Sequence, residues 1–585
     1  MSRAALEAPP STLDVRPPTR SQPSTTRSAP ATGTGARARR WLERPVVACV
    51  LLFVIYGSLS LLNDPRGTLL ADSGGKLATL HVMSERGSLD PDVGYWAAAE
   101  DPEGTLHPLE FTTQVGGKWL QATTLPMLYA SYPLYELGGD RAVLALPILG
   151  AVLCALAARS LARRYGSSTG WTAFWAVGLL TPVALYALAF WEHTIGLAFV
   201  LWAFVVLVDV LRGRAGWRGA LGAGALFGAA AVMRTEALVY FAVTMLTVLF
   251  LMVFRNRAVW RAVSTGVAVA AGALFVVAVN HALEIITIGD SVRVGRTAGA
   301  ASAASSATLA DRLEQATTTA TGLNGFTVSL DWVAGAAIVL LIGGGAWCLA
   351  RAGGPRLLGG VAIAGASMLY ALRFGNQLGY VPGLFTASPL AAAGVVLAWG
   401  RRDLRLPTVV ACLALPLIWA TQWSDPMRPQ WGGRYALASG ALLAVVAVVV
   451  LAEKRVALSA VLALAVLVTG FGIAFLVERS HSIADGMETL VDRNDEALIS
   501  LDPHVLREGG AFYEPRHHWL TAGDFTELRK AVRIVTAAGD RELALVLPAS
   551  VTPPRTLSAF VLGRSERLRF RPDEPALRVA TYYLE

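Results

Sequence analysis

The sequence predicts an all-α polytopic membrane protein of about 13 transmembrane helices, with a small extracytoplasmic α/β domain at its C-terminal end. Three observations predict it. Of the 585 residues, 54% are hydrophobic and only 16% are charged, against roughly 25% charged in a soluble domain. The apolar residues gather in continuous runs such as 46–62 and 436–452. These match the length of a bilayer core and lack the alternation of a membrane β-barrel strand. Arginine clusters punctuate the runs, as in loops held on the cytoplasmic side. The net charge of +8 therefore belongs to topology, and nucleic acid is not an expected partner. Cys49, Cys154, Cys348 and Cys412 all lie in apolar runs, too far apart for a metal motif, and read as small buried side chains.

Residues 1–40, rich in Pro, Ser, Thr and Arg, read as a disordered cytoplasmic tail. The first apolar run begins near Pro45, after Arg37, Arg39, Arg40 and Arg44, and reads as an uncleaved anchor with the N-terminus inside. Basic clusters follow at Arg159/Arg163/Arg164, Arg212/Arg214/Arg218, Arg255/Arg257/Arg261, Arg351/Arg356, Arg401/Arg402/Arg405 and Lys454/Arg455. If all face the cytoplasm, an even number of crossings separates neighbours. Hairpins are then expected over 170–211, 219–254, 262–350, 357–400 and 406–452, with single spans at 142–158 and 456–477. The glycines Gly343-Gly344-Gly345 fall inside a span and read as a helix-packing surface.

This parity makes 41–477 a membrane domain in a multi-pass cytoplasmic-membrane protein, with a first outer loop at about 64–141. Within that loop, 119–135 reads as an interfacial helix. Residues 478–585 fall outside the cytoplasm, with a helix expected over 525–537 and strands over 543–547 and 577–584. All eight histidines and most carboxylates beyond the tail land on the outer side. The cytoplasmic loops are short basic stubs with no glycine-rich phosphate loop, which argues against a nucleotide site there.

Candidate chemistry therefore sits outside. Asp72 follows closely on the first span, in Leu69-Leu70-Ala71-Asp72-Ser73-Gly74-Gly75-Lys76. It reads equally as a helix cap or as a general base held at the interface. The short outer turns hold Glu192/His193, Arg234/Glu236 and Arg373. Charges at that depth pair with one another or line a cavity. Arg434 sits in Trp431-Gly432-Gly433-Arg434-Tyr435 at the start of a late span. Its guanidinium suits a phosphate at headgroup depth; the alternative is snorkelling to lipid or a pair with Asp425.

On the long acidic first outer loop and the Trp-Gly-Gly-Arg-Tyr string, the chain resembles the GT-C superfamily of integral membrane glycosyltransferases, over roughly residues 45–477. The resemblance implies hexosyl or pentosyl transfer at the outer face, from a polyprenyl-phosphate-linked sugar to a cell-envelope glycan, lipid or protein. Under it Asp72 is the base, and Glu192 and His193 orient base or acceptor. Arg434 holds the donor phosphate, with Lys76, Arg234, Arg373 and Tyr435 beside it. Many members carry two adjacent acids in the first loop, whereas Ser73 follows Asp72 here. Glu192 is then the candidate second carboxylate. A bound divalent metal is without support, and no cofactor is named. The rival class is a multi-span transporter or lipid flippase. It shares the intramembrane charges, but the chain lacks the internal repeat common in carriers.

Overall fold

The computed structural model describes residues 44–67, 71–121, 124–166, 168–255, 257–291, 308–322, 331–374, 382–421, 431–493, 495–572 and 574–585. Residues 1–48 separate as a unit of their own from Cys49–Glu585. The expected tail over 1–40 lies outside the described residues.

Helix α1 (Pro45–Ser60) is followed by α2 (Ala71–Glu85) and a hairpin of β1 (Thr112–Val115) and β2 (Lys118–Gln121). Then come α3 (Leu125–Ala142), α4 (Ala145–Tyr165), α5 (Gly170–Leu179), α6 (Val183–Ala187), α7 (His193–Leu211), α8 (Trp217–Met233), α9 (Ala237–Phe250) and α10 (Val259–Ile288). The helical series continues with α11 (Leu309–Thr321), α12 (Asp331–Ala350), α13 (Arg356–Phe374), α14 (Leu384–Ala387), α15 (Pro389–Leu397), α16 (Arg405–Thr421), α17 (Leu437–Leu451) and α18 (Arg455–Asp492).

Among the described residues, eight helices are long and apolar enough to cross a membrane, namely α4, α7, α9, α10, α12, α16, α17 and α18. Helices α1, α13 and α15 are shorter apolar helices. The remaining expected spans coincide with α8 and with α5, which Pro182 separates from α6. Large apolar side chains such as Trp260, Phe275, Leu246 and Ile286 stand exposed on these helices, as a hydrocarbon surround permits. Close packing rests on small residues. A Cβ on Gly224 of α8 would lie 2.0 Å from the Val269 carbonyl oxygen, and one on Gly272 of α10 would lie 2.1 Å from that of Leu221, so the two backbones touch. Gly343 instead makes room for the Val396 side chain, and Gly345 for that of Ile363.

The segment expected as one interfacial helix over 119–135 divides in two. Gly116 and Gly117 both take positive φ, 58° and 79°, which turns the chain into a two-residue hairpin. Trp119 and Leu120 are buried on β2. Helix α3 begins only at Leu125, with Pro126 in its first turn.

Helix α18 runs 38 residues without a break, about 57 Å at the usual helical rise, so its end projects well past a bilayer core. It leads into a six-stranded sheet built from β3 (Ala497–Ser500), β4 (His518–Thr521), β5 (Glu542–Pro548), β6 (Thr556–Leu557), β7 (Phe560–Leu568) and β8 (Leu577–Leu584), in the order β4-β3-β5-β8-β7-β6. Strand β3 is parallel to β4 and β5, while β8 is antiparallel to β5 and β7. Between β3 and β4 lies the short helix α19 (Val505–Glu508), and after β4 comes α20 (Phe525–Ala538). Asp524 caps α20 by accepting from Thr526 and Glu527, and Gly539 at φ 91° ends it. The sheet does not stand alone. Val93, Tyr95, Leu106, Leu109 and Trp119 of the first loop share one hydrophobic core with Leu498, Trp519, Leu545 and Val579. Buried Asp101 also pairs with Lys530 at 2.6 Å.

Candidate active site

Helix α2 presents Asp72 in its first turn and Lys76 one turn later, on the same face. The break at Pro182 and the short α6 deliver Trp191 and Glu192 to the start of α7. Between α8 and α9 the chain extends at Arg234 (φ −145°, ψ 127°) and turns through Glu236. Arg434 follows two glycines of positive φ, Gly432 at 72° and Gly433 at 60°. A Cβ on Gly432 would meet the Pro182 ring at 2.5 Å, and one on Gly433 would meet Thr319 at 2.8 Å. Both turn and close approach therefore require glycine. Trp431 is buried, and its carbonyl accepts from the Tyr186 hydroxyl at 2.8 Å.

These elements bring the expected residues into one ionic cluster. Asp72 Oδ2 pairs with Arg434 Nη1 at 3.0 Å, and Oδ1 pairs with Arg507 Nη2 at 2.9 Å. The carboxylate thus spends its oxygens on two guanidinium groups rather than on capping α2. Arg434 Nη2 donates to the Tyr435 hydroxyl at 2.7 Å. The Tyr435 ring lies 4.6 Å from the Arg434 guanidinium and 5.4 Å from that of Arg234. Glu192 bridges Lys76 Nζ at 2.6 Å and Arg234 Nη1 at 2.9 Å, and Arg234 also reaches Glu236 at 3.0 Å. His193 is buried against Trp191 and Tyr186, with ring centroids 4.6 and 5.0 Å away. Neither of its ring nitrogens has a hydrogen-bond partner among the described residues. The side chain of Arg373 and the whole of Asp425 lie outside the described residues.

Burial pushes the Asp72 carboxyl up, but Arg507, Arg434 and Lys76 outweigh it and hold it below the usual carboxylate range. Burial likewise acts on Glu192, where Lys76 and Arg234 prevail and keep it ionised. The cluster sets four cations (Lys76, Arg234, Arg434, Arg507) against three carboxylates (Asp72, Glu192, Glu236), an excess that favours an anion. A divalent cation does not fit beside Asp72, because both oxygens already face guanidinium groups and Lys76 adds a third positive charge.

A small cleft opens beside the cluster. His193, Arg234, Glu236, Arg434 and Tyr435 line its polar part, and Leu197, Val200, Leu437 and Ala438 line its apolar part. Lys76 stands off this wall, paired to Glu192.

Arg507 escaped the sequence reading. It lies in the polar C-terminal region, 435 residues from Asp72, and neither its spacing nor its neighbours mark it. Only the shared core of the first loop and the sheet brings it to α2.

The fold and the cluster together define a polytopic helical membrane protein with a buried, net-cationic polar site beside a small cleft with apolar walls. No known protein family and no curated protein matches the chain. Among solved structures it is similar to ArnT from Cupriavidus metallidurans in the apo state, at 13% identity and a TM-score of 0.40, over 93% of this chain and 98% of that one. It is also similar to that protein bound to undecaprenyl phosphate, at 12% identity and a TM-score of 0.38, over 92% and 97% of the two chains. A third neighbour is the archaeal oligosaccharyltransferase AglB from Archaeoglobus fulgidus in complex with an inhibitory peptide and a dolichol-phosphate. There the identity is 11% and the TM-score 0.43, over 85% of this chain and 69% of that one.

Proposed function

We propose that the chain is an integral membrane glycosyltransferase. It moves a sugar from a polyprenyl-phosphate donor to a cell-envelope acceptor at the outer face of the cytoplasmic membrane. The observation that carries this reading is the Asp72–Arg434 ion pair, whose arginine lines a small cleft with apolar walls. A base and a cation suited to a phosphate stand side by side, and apolar side chains adjoin the cation. In this reading 41–477 is the catalytic membrane domain, the N-terminus is cytoplasmic and 478–585 face outward.

The donor's phosphate enters beside Arg434 and competes with Asp72 for its guanidinium. As the bond between the sugar's anomeric carbon and the phosphate oxygen breaks, the electron pair goes to the phosphate. Arg434 and Arg234 then meet charge that grows in the transition state. The acceptor oxygen bonds the anomeric carbon and its proton passes to Asp72, which regains proton affinity once Arg434 turns to the phosphate. Glu192 fixes Lys76 and Arg234, and the unpartnered nitrogens of His193 offer a contact for a hydroxyl in the cavity.

The test is incubation of the purified protein with a panel of polyprenyl-phosphate-linked sugars, following binding and slow hydrolysis. Release of free sugar is the expected result. Movement of an intact lipid-linked sugar across vesicles, with no cleavage, favours the flippase class instead.

A further inference from the structure

Two guanidinium groups hold Asp72, and their surroundings differ. Arg434 lines the cavity, its side chain is 14% exposed, and its Nε has no hydrogen-bond partner among the described residues. Arg507 is walled in, with only 3% of its side chain exposed. Its Nε donates to Gln121 Oε1 at 3.3 Å, and its guanidinium lies 4.8 Å from the Phe111 ring centroid. Gln121 is itself fixed, since its amide nitrogen donates to the carbonyls of Leu109 and Glu110 and to Thr112 Oγ1.

The backbone that carries Arg507 is equally constrained. A Cβ on Gly74 of α2 would lie 1.9 Å from the Arg507 carbonyl oxygen, and one on Gly510 would lie 2.1 Å from that of Gly74. Helix α19 therefore rests on α2 with no side chain between them. The next residue, Glu508, is wholly buried between Arg479 at 3.1 Å and Arg571 at 2.6 Å. Arg571 in turn holds Asp502 at 2.8 Å and Glu574 at 2.7 Å.

We propose that Arg507, contributed by the C-terminal lobe, is the positioning residue of Asp72. It keeps the carboxylate ionised and aimed when a lipid phosphate draws Arg434 away. The chemical meaning of this role rests on the glycosyl-transfer reading, whereas the placement of Arg507 rests on the geometry alone. The other charged or titratable groups facing Asp72 are Lys76 on its own helix and Glu192 and His193 at the start of α7. Lys76 and Glu192 largely balance each other, so removal of Arg507 leaves Arg434 as the main cation on the carboxylate.

The experiment reads the protonation of Asp72 without needing turnover. Full-length protein in detergent micelles is treated with a carbodiimide and glycine ethyl ester, which couple at protonated carboxyls, between about pH 5 and 7. Label at Asp72 is counted by peptide mass spectrometry, with and without undecaprenyl phosphate as the probe. One nearby cation typically lowers a carboxyl by about 1–3 pH units, so Arg507→Gln should label at Asp72 at least about tenfold faster than wild type. Arg507→Lys, which keeps the charge, should show a smaller rise. Arg569→Ala, which removes only an exposed pair with Glu478, should show none. Undecaprenyl phosphate should raise labelling further, most in Arg507→Gln. Unchanged Asp72 labelling in both Arg507→Gln and Arg507→Ala overturns the proposal. So does a rise spread over all carboxylates including buried Glu508, which would make Arg507 a fold contact only. If the lipid changes nothing while Arg507→Gln still labels faster, the donor-phosphate reading fails and the positioning role of Arg507 stands.

Discussion

Asp72 and Arg434, 362 residues apart in the chain, meet in an ion pair of 3.0 Å. One begins the helix that follows the first span, and the other begins the penultimate apolar helix. A carboxylate so held is a weak base, and a guanidinium so held is a shielded phosphate ligand. Under the proposed function, a phosphate that inserts between them would release both functions at once, with the ion pair as the resting state.

Asp72→Asn should therefore separate chemistry from binding. Transfer should fall about 10²–10⁴-fold, the usual contribution of a general base. Donor affinity should hold or tighten, because Arg434 loses its competitor. Turnover and equilibrium binding of a polyprenyl-phosphate sugar, measured on one preparation, check both halves. Wild-type turnover would remove Asp72 from the chemistry.

Arg434→Ala should weaken donor binding by about 2–5 kcal/mol, the common consequence of removing one partner of a desolvated charge pair. Arg434→Lys should fall between wild type and Ala, since it keeps the charge but loses the two-pronged geometry and the bond to Tyr435. Unchanged affinity in Arg434→Ala would reduce the residue to a partner of Asp72.

Glu192→Gln should disturb the protein more than Glu103→Gln. Glu192 neutralises Lys76, whose side chain is 2% exposed, and an uncompensated charge at that depth destabilises by about 3–5 kcal/mol. Glu103 is exposed. Thermal unfolding of the two variants in the same micelles gives the comparison, and equal melting temperatures would count against the buried cluster.

Acid should weaken the lobe built from the first loop and the C-terminal sheet through His107. Burial holds its imidazole down to about 4, while its two ring nitrogens face the Gly94 carbonyl at 3.1 Å and the Leu109 amide at 3.1 Å. The unfolded chain takes up this proton near pH 6.5 and the folded one only near pH 4, so lower pH favours unfolding across that window. The loss should reach about 3 kcal/mol by pH 4. Melting temperatures recorded between pH 7 and 4 should fall for wild type, and the slope should flatten in His107→Gln.

Much of the architecture was legible because hydrophobic length and basic punctuation are local properties. A run of apolar residues becomes a helix in lipid whatever its neighbours, since each backbone amide must bond within its own segment. On that ground the apolar spans could be read directly, while helix α20 and strands β5 and β8 could be read from their own hydrophobic patterns. The glycines before Arg434 and the acids in short turns also stood out, because charge near a membrane is rare enough to be informative.

The partnership of those charges could not be read this way. Asp425 was as good a guess for Arg434 as Asp72, and Lys76 read as a phosphate ligand until packing set it against Glu192. The sheet's short strands β3 and β4 are four residues each, too short to carry a period. The core they share with the first loop joins segments about 400 residues apart, as between Trp96 and Trp519. Local sequence determined which segments are helical and which residues are ionic. Tertiary structure alone decided which ions meet, because a buried charge is stable only beside its opposite, and that neighbour comes from wherever the fold places one.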